Sequence, residues 1–279
     1  MKLGIIASWE KESTFETVKK LGLAGLEFTV NYNIDSVKFL EEVPEIQSRL
    51  HKYDLQVLSM GRWGMKRVDE NGRIIPEAMQ HDKNVILAAY KLGCPVFNVG
   101  CNYAKNLNLK ENYEVAFDYF TQLLDYAEDK NVKIAVYNCE WENFVIERAQ
   151  WRVLMPALPK LGIKYDPSHS IEHTHDYKEY LPEMIEFGDR IYHFHAKGSL
   201  FIDGVHYDDP PVGMDAINWG AVFNILYTKN YEGAICYEPH SQYWTGRKGR
   251  WGIDFSLNYI KPFLMPEDYE GDMASAYSL

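Results

Sequence analysis

The stretch KLGIIASWEKES (2–13) decides between two readings of the whole chain. It opens as a short β-rich run and passes directly into a tryptophan and charged residues. An open doubly wound sheet places a glycine-rich phosphate loop after its first strand, and IIASWEKES carries none. Comparable runs recur at GLEFTV (25–30), LQVLSM (55–60), PVFNVG (95–100), VKIAVYN (132–138), GIKYD (162–166), RIYHFHA (190–196) and GAICYE (233–238). Most are separated by segments with helical periodicity, such as AMQHDKNVILAAYKLG (78–93) and YEVAFDYFTQLLDYAEDK (113–130). The first of these ends in Gly93, a suitable C-cap. Ser13 and Glu16 have capping-box spacing, which predicts a helix from Ser13 to Gly22. Eight strands alternating with helices require crossover connections and hence parallel pairing. The reading is a single-domain α/β fold, a (β/α)8 TIM barrel over residues 1–265, followed by a polar tail at 266–279.

Composition narrows the function. The chain has 279 residues, 46% of them hydrophobic, and a net charge of −11. Such a surface repels phosphate backbones, so nucleic acid is not an expected partner. No apolar run is long enough to span a bilayer or to act as a secretory segment, so no membrane association is expected. Cys94, Cys101, Cys139 and Cys236 are widely spaced, which favours reduced thiols and a cytoplasmic location.

The strands turn polar at their carboxyl ends, where barrels of this kind carry their active sites. Glu27 lies on the second run, Arg62 and Trp63 close the third, and Tyr137 and Asn138 end the fifth. The sixth ends in Asp166 with His169 three residues on. The seventh holds His193, His195 and Lys197 on one face, and the last ends in Glu238, followed by His240. Asp, His and Glu thus terminate three consecutive strands, which a closed barrel brings together. Two carboxylates and an imidazole suit a single Mn²⁺, Mg²⁺, Co²⁺ or Zn²⁺ ion. A buried Asp–His–Glu hydrogen-bond cluster without metal is the alternative.

The stretches GLAGLEF (22–28), GIKYDPSHS (162–170), RIYHFHAKG (190–198) and DPPVGMDAINWGAVFNILYTKNYEGAICYEPH (209–240) resemble the xylose-isomerase-like TIM-barrel superfamily of sugar isomerases and epimerases. The resemblance implies one divalent ion held by Asp166, His195 and Glu238, with His169 facing the substrate. It also implies a fourth, glutamate ligand at the end of the fifth strand, where this chain has Tyr137. Tyrosine, with a reference pKa of about 10, is a poor base at neutral pH. Asn138 or water, or Glu140 from the following loop, are the candidates to complete the shell; loss of metal and catalysis is the remaining possibility.

The implied activity is isomerisation or epimerisation of a sugar, keto-sugar or polyol through an enediolate, by a possible homo-oligomer. Glu238 would transfer the proton, with His169 or Tyr137 on the opposite face and Lys197 stabilising the oxyanion. Candidate substrate contacts are Glu27, Arg62, Trp63, Asn138 and His206, with Asp208 and Asp209 nearby. Trp9, Trp63, Trp141 and Trp244 are candidates to stack on a sugar. Segment 197–215 is long enough to serve as a lid. The alternatives are a lyase that cleaves 3-keto-glycosides by β-elimination, a non-catalytic sugar-binding or partner subunit and, last, an endonuclease, which would need more metal ligands.

Overall fold

The structure, a computed structural model, describes residues 1–266 and 269. The 266–279 tail expected from the sequence therefore lies almost wholly outside the described residues. Eight parallel strands close into a barrel: β1 (Lys2–Ile6), β2 (Gly25–Thr29), β3 (Gln56–Gly61), β4 (Val96–Val99), β5 (Lys133–Tyr137), β6 (Gly162–Tyr165), β7 (Ile191–Ala196) and β10 (Ala234–Tyr237). Neighbours in the barrel follow chain order, and β10 closes on β1 through the register Lys2↔Ala234 to Ile5↔Tyr237. Each of the eight β-rich runs holds one of these strands, β3 alone extending one residue past its run.

Helices cover the outside of the barrel. Among them are α1 (Glu12–Lys20), α2 (Ser36–Tyr53), α3 (Pro76–Lys91), α4 (Leu109–Ala127), α5 (Arg148–Leu154), α6 (Pro167–Thr174), α7 (Tyr180–Phe187), α8 (Trp219–Thr228) and α9 (Gly246–Ile260). Their apolar faces pack on the outward strand residues in one continuous core that includes Phe28, Phe97, Ile134, Ile163 and Phe194, all fully buried. Inside the barrel the separate apolar cluster is small, consisting of Leu58, Ala234 and Cys236. Much of the remaining interior is polar, with Glu27, Ser59, Asn98, Lys164 and His193 buried. Buried polar groups are costly unless partnered, so the partners these residues find decide how their side chains are turned.

Two local expectations change. α1 begins at Glu12 with Lys11 as its extended N-cap residue, and no side chain caps it. Ser13 is already helical there, so its hydroxyl cannot fold back onto the amide of Glu16, which pairs with Lys20 instead. A capping box does form at α4: Asn108 accepts from the Glu111 amide at 3.1 Å, and Glu111 accepts from the Asn108 amide at 2.8 Å. Gly93 follows α3 with φ +66°, the left-handed conformation expected of a C-terminal glycine.

The long segment after β7 is ordered as a hairpin, β8 (Leu200–Ile202) and β9 (Val205–Asp208). Its two-residue turn is Asp203–Gly204, with φ 51° and 76°, the Asp-Gly pair such turns favour. Beyond it, Asp215 accepts from Trp219 Nε1 at 3.0 and 3.1 Å, which fixes the entry to α8. The four cysteines are unpaired. No described helix is long and apolar enough to cross a membrane.

Candidate active site

The polar strand ends meet at the carboxyl end of the barrel. Asp166 is fully buried: its Oδ1 accepts from the Ser168 amide at 2.9 Å, while Oδ2 has no hydrogen-bond partner. That free oxygen lies 4.0 Å from His195 Nδ1, which is itself 3.0 Å from Glu238 Oε2. One donor atom from each of Asp166, His195 and Glu238 falls within 4.8 Å of the others.

His195 is held from below. Its Nε2 lies 2.7 Å from Glu27 Oε2, the same oxygen that His193 Nε2 approaches at 2.5 Å. Burial opposes ionisation of Glu27, yet the two facing imidazoles hold its carboxyl well below the usual range. Glu27 therefore takes the Nε2–H of His195 and leaves Nδ1 facing Asp166 and Glu238. This second-layer carboxylate on a ligating imidazole is common at metal centres. Glu27, expected at the substrate, is instead buried beneath the site.

Asp166 Oδ2, His195 Nδ1 and Glu238 fit a divalent ion, because an orphaned buried carboxylate oxygen and two further donors converge on one point. Two other acid–histidine groupings do not offer such a point. At Glu27, the Nε2 atoms of both imidazoles meet one carboxylate oxygen, and the Nδ1 of His195 is turned away to Asp166 and Glu238. At Glu172, His206 and Asp209, the carboxylates are occupied by Lys197 and His169, and by His206 and His240.

Tyr137 does not face these donors. It is fully buried, stacks on Trp63 with centroids 5.5 Å apart, donates to the Trp141 carbonyl at 3.0 Å and receives a bond from Arg67 at 3.4 Å. Gly100 makes room for its hydroxyl, since a Cβ there would lie 2.5 Å away. Expected at the chemistry, its hydroxyl is instead engaged by the Trp141 carbonyl and Arg67. Asn138, expected at the metal or substrate, has its side chain bonded to both main-chain groups of Asp166, at 2.8 and 3.0 Å. Glu140 turns outward to His173 at 2.6 Å. None of the candidates expected to supply a fourth protein donor does so.

Arg62 is also reassigned. Its guanidinium is fully buried against the Val30 carbonyl, His81 and Asp82, which hold it away from the mouth. Lys197 donates to Glu172 at 2.9 Å and does not line the cavity beside the donors. His206 sits on the hairpin, bonded to Asp209 at 2.9 Å, and does not line it either.

That cavity, of about 150 Å³, is bounded by Trp63, Trp141, Lys164, His169, His195 and Glu238, with His240, Asn31 and Thr29 at its edge. His169 Nδ1 is held by Glu172 Oε2 at 2.8 Å, and its Nε2 lies 3.7 Å from Asp166 Oδ2. Burial works against ionisation of Glu238, but His195, Lys164 and Lys197 keep its carboxyl well below the usual range. Of the four tryptophans, Trp63 and Trp141 line this cavity. Trp9 packs on Phe28 and Phe39, and Trp244 on Trp251. A larger cavity of about 560 Å³ lies at the opposite end of the barrel, where Lys2 bonds Gln56 and Lys229 pairs with Asp189. It contains none of the converging donors.

Lys164 and Glu172 carry no role in the sequence reading, and His240 enters it only as the residue near the end of the last strand. Lys164 had a readable signal: it stands on β6 two residues before Asp166, which continues the extended backbone just past the strand, and so on the same face.

Residues 15–259 match the family described as xylose isomerase-like TIM barrel, and the chain belongs to it. No curated protein matches in sequence. Similar solved structures include 3-keto-D-glucoside 4-epimerase from E. coli, at 16% identity and TM-score 0.72, covering 94% of this chain and 99% of that one. D-psicose 3-epimerase from Clostridium cellulolyticum H10 follows at 17% and 0.71, covering 93% and 99%. Mannonate dehydratase from Streptococcus suis serotype 2 stands at 14% and 0.75, covering 99% and 96%. At such identities the likeness is one of fold.

Proposed function

We propose that the protein is a metal-assisted isomerase or epimerase of a sugar or keto-sugar. The convergence of Asp166 Oδ2, His195 Nδ1 and Glu238 beside a cavity walled by two tryptophans carries this reading. Sugar epimerases among the similar structures support it. A divalent ion held by those three residues would polarise a substrate carbonyl and its neighbouring hydroxyl. Glu238, kept ionised by its surroundings, is the base that removes a proton from the carbon beside the carbonyl. His169, whose Nδ1–H is held by Glu172, presents Nε2 to the cavity, an acceptor while the ring is neutral and a proton donor once it is protonated. Trp63 and Trp141 supply apolar faces for the sugar.

A second reading, β-elimination from a 3-keto-glycoside, is favoured by one observation. Tyr137 is turned away, leaving a single carboxylate base and a histidine at the cavity, and elimination needs only one base and one acid. A divalent-metal panel on the chelator-stripped protein tests the metal. Mn²⁺ at about a hundredfold excess over Kd should raise Tm by about 4–5 °C, and Asp166→Asn should abolish the shift. Screening D-fructose, D-psicose and D-tagatose against 3-keto-glucosides then separates the chemistries. Stabilisation by sugars with no turnover under any metal condition would leave a binding protein.

A further inference from the structure

We propose that Lys164 is a catalytic residue whose ammonium enters the cavity and holds the anionic oxygen that the sugar develops during enolisation. The inference rests on the assignment of the site to metal-assisted sugar isomerisation or epimerisation.

Lys164 is 1% exposed, yet it lines the cavity. Its Nζ lies 3.8 Å from Asp166 Oδ2 and 5.9 Å from the centre of the Trp63 ring. No hydrogen bond is made by its three donors among the described residues. A buried ammonium in that condition is costly, and it is satisfied by acceptors that arrive in the cavity. Asp166 is its close anionic neighbour, and committing Asp166 Oδ2 to a divalent ion leaves the lysine in need of another oxygen.

The other cations expected at the substrate are spent elsewhere. Lys197 is bonded to Glu172, and Arg62 to Val30 and His81.

The step balances without an oxidant. Glu238 takes the proton from the carbon beside the carbonyl, and the C–H electron pair forms the new C=C bond. The carbonyl π pair moves onto oxygen, where it accepts an N–H bond from Lys164. For epimerisation a protonated His169 delivers a proton to the opposite face of the same carbon, leaving the first proton on Glu238; for isomerisation Glu238 returns its proton to the neighbouring carbon while the hydroxyl proton passes to the former carbonyl oxygen. Such a preorganised donor is worth more in a water-poor cavity than in water.

The test compares Mn²⁺-loaded wild type, Lys164→Met and Lys164→Arg by calorimetry, using glycolohydroxamate as a planar anionic enediolate mimic and xylitol as a neutral polyol. Lys164→Met should lose about 10²-fold in hydroxamate affinity, within the range removal of one oxyanion donor costs, with xylitol affinity unchanged. Lys164→Arg should recover part of the loss. Lys164→Met should hold Mn²⁺ at least as tightly as wild type, because a positive charge beside Asp166 has been removed. On any keto-sugar the wild type turns over, kcat should fall about 10²–10³-fold.

Hydroxamate affinity unchanged in Lys164→Met, or Mn²⁺ affinity weakened tenfold, would overturn the assignment, the latter indicating a structural support for Asp166. These outcomes leave the broader reading intact. A wild type that binds neither Mn²⁺ nor hydroxamate removes both.

Discussion

Glu27 Oε2 lies 2.7 Å from His195 Nε2, so a carboxylate on β2 sets the orientation of an imidazole presented by β7. The two residues are far apart in sequence and meet only because the barrel closes. Replacing Glu27 with Gln puts an amide where two imidazole N–H groups need an acceptor. The expected cost is about 1–3 kcal/mol of stability in urea unfolding. Mn²⁺ affinity should fall about 10–100-fold by calorimetry, as for other outer-layer partners of metal-bound histidine. Unchanged Mn²⁺ affinity in this variant would show that Glu27 does not orient a ligand.

Tyr137 is buried with its hydroxyl bonded away from the converging donors, and Tyr137→Phe tests whether it serves packing alone. Loss of its hydroxyl removes the bonds to the Trp141 carbonyl and Arg67. Stability should drop by about 1 kcal/mol, with turnover changed less than about threefold. A hundredfold loss of kcat would return Tyr137 to the chemistry.

Trp141 is 48% exposed and lines the cavity, with its ring over Gly64. Trp141→Ala should therefore act on the substrate rather than the fold. The expected result is a KM raised about tenfold, equivalent to about 1.4 kcal/mol, with stability within about 0.5 kcal/mol of wild type. Equal KM values for the two proteins would remove Trp141 from the sugar-binding wall.

Asp215 gives a pH signature. Burial pushes its carboxyl up to about 6, against the bonds from Trp219 and the Gly213 amide. Because the folded value exceeds the unfolded one, the protonated form is favoured in the native state. That contribution is full below pH ~4 and is lost as pH rises through about 6. Asp215→Asn should thus gain stability relative to wild type between pH 4 and 7, by about 1–3 kcal/mol. A difference that stays flat across this range would contradict the shift.

The barrel was legible because parallel strands buried between helices need apolar runs of short length, and all eight stand out in the chain. Asp166, His195 and Glu238 were legible for a related reason: strand ends in a barrel point to one mouth, so polar residues there converge. Alternation along β7 correctly put His193 and His195 on one face. The hairpin at 200–208 had its own Asp-Gly signal, which the length of the segment obscured.

What the sequence could not determine was the direction in which the long side chains turn. Tyr137, Asn138, Arg62 and Glu27 occupy the strand-end or inward positions expected of them, yet each is drawn off by a partner distant in sequence or on a neighbouring loop. Those partners are the Trp141 carbonyl and Arg67 for Tyr137, the Asp166 backbone for Asn138, Val30 and His81 for Arg62, and the paired imidazoles for Glu27. Lys164 shows the converse, a residue read as part of a buried strand whose charged end reaches the cavity. The sequence alone determined the barrel and the residues at its mouth. Only the tertiary structure decided which side chains face the cavity, because buried polar groups turn toward whatever partner the closed barrel supplies.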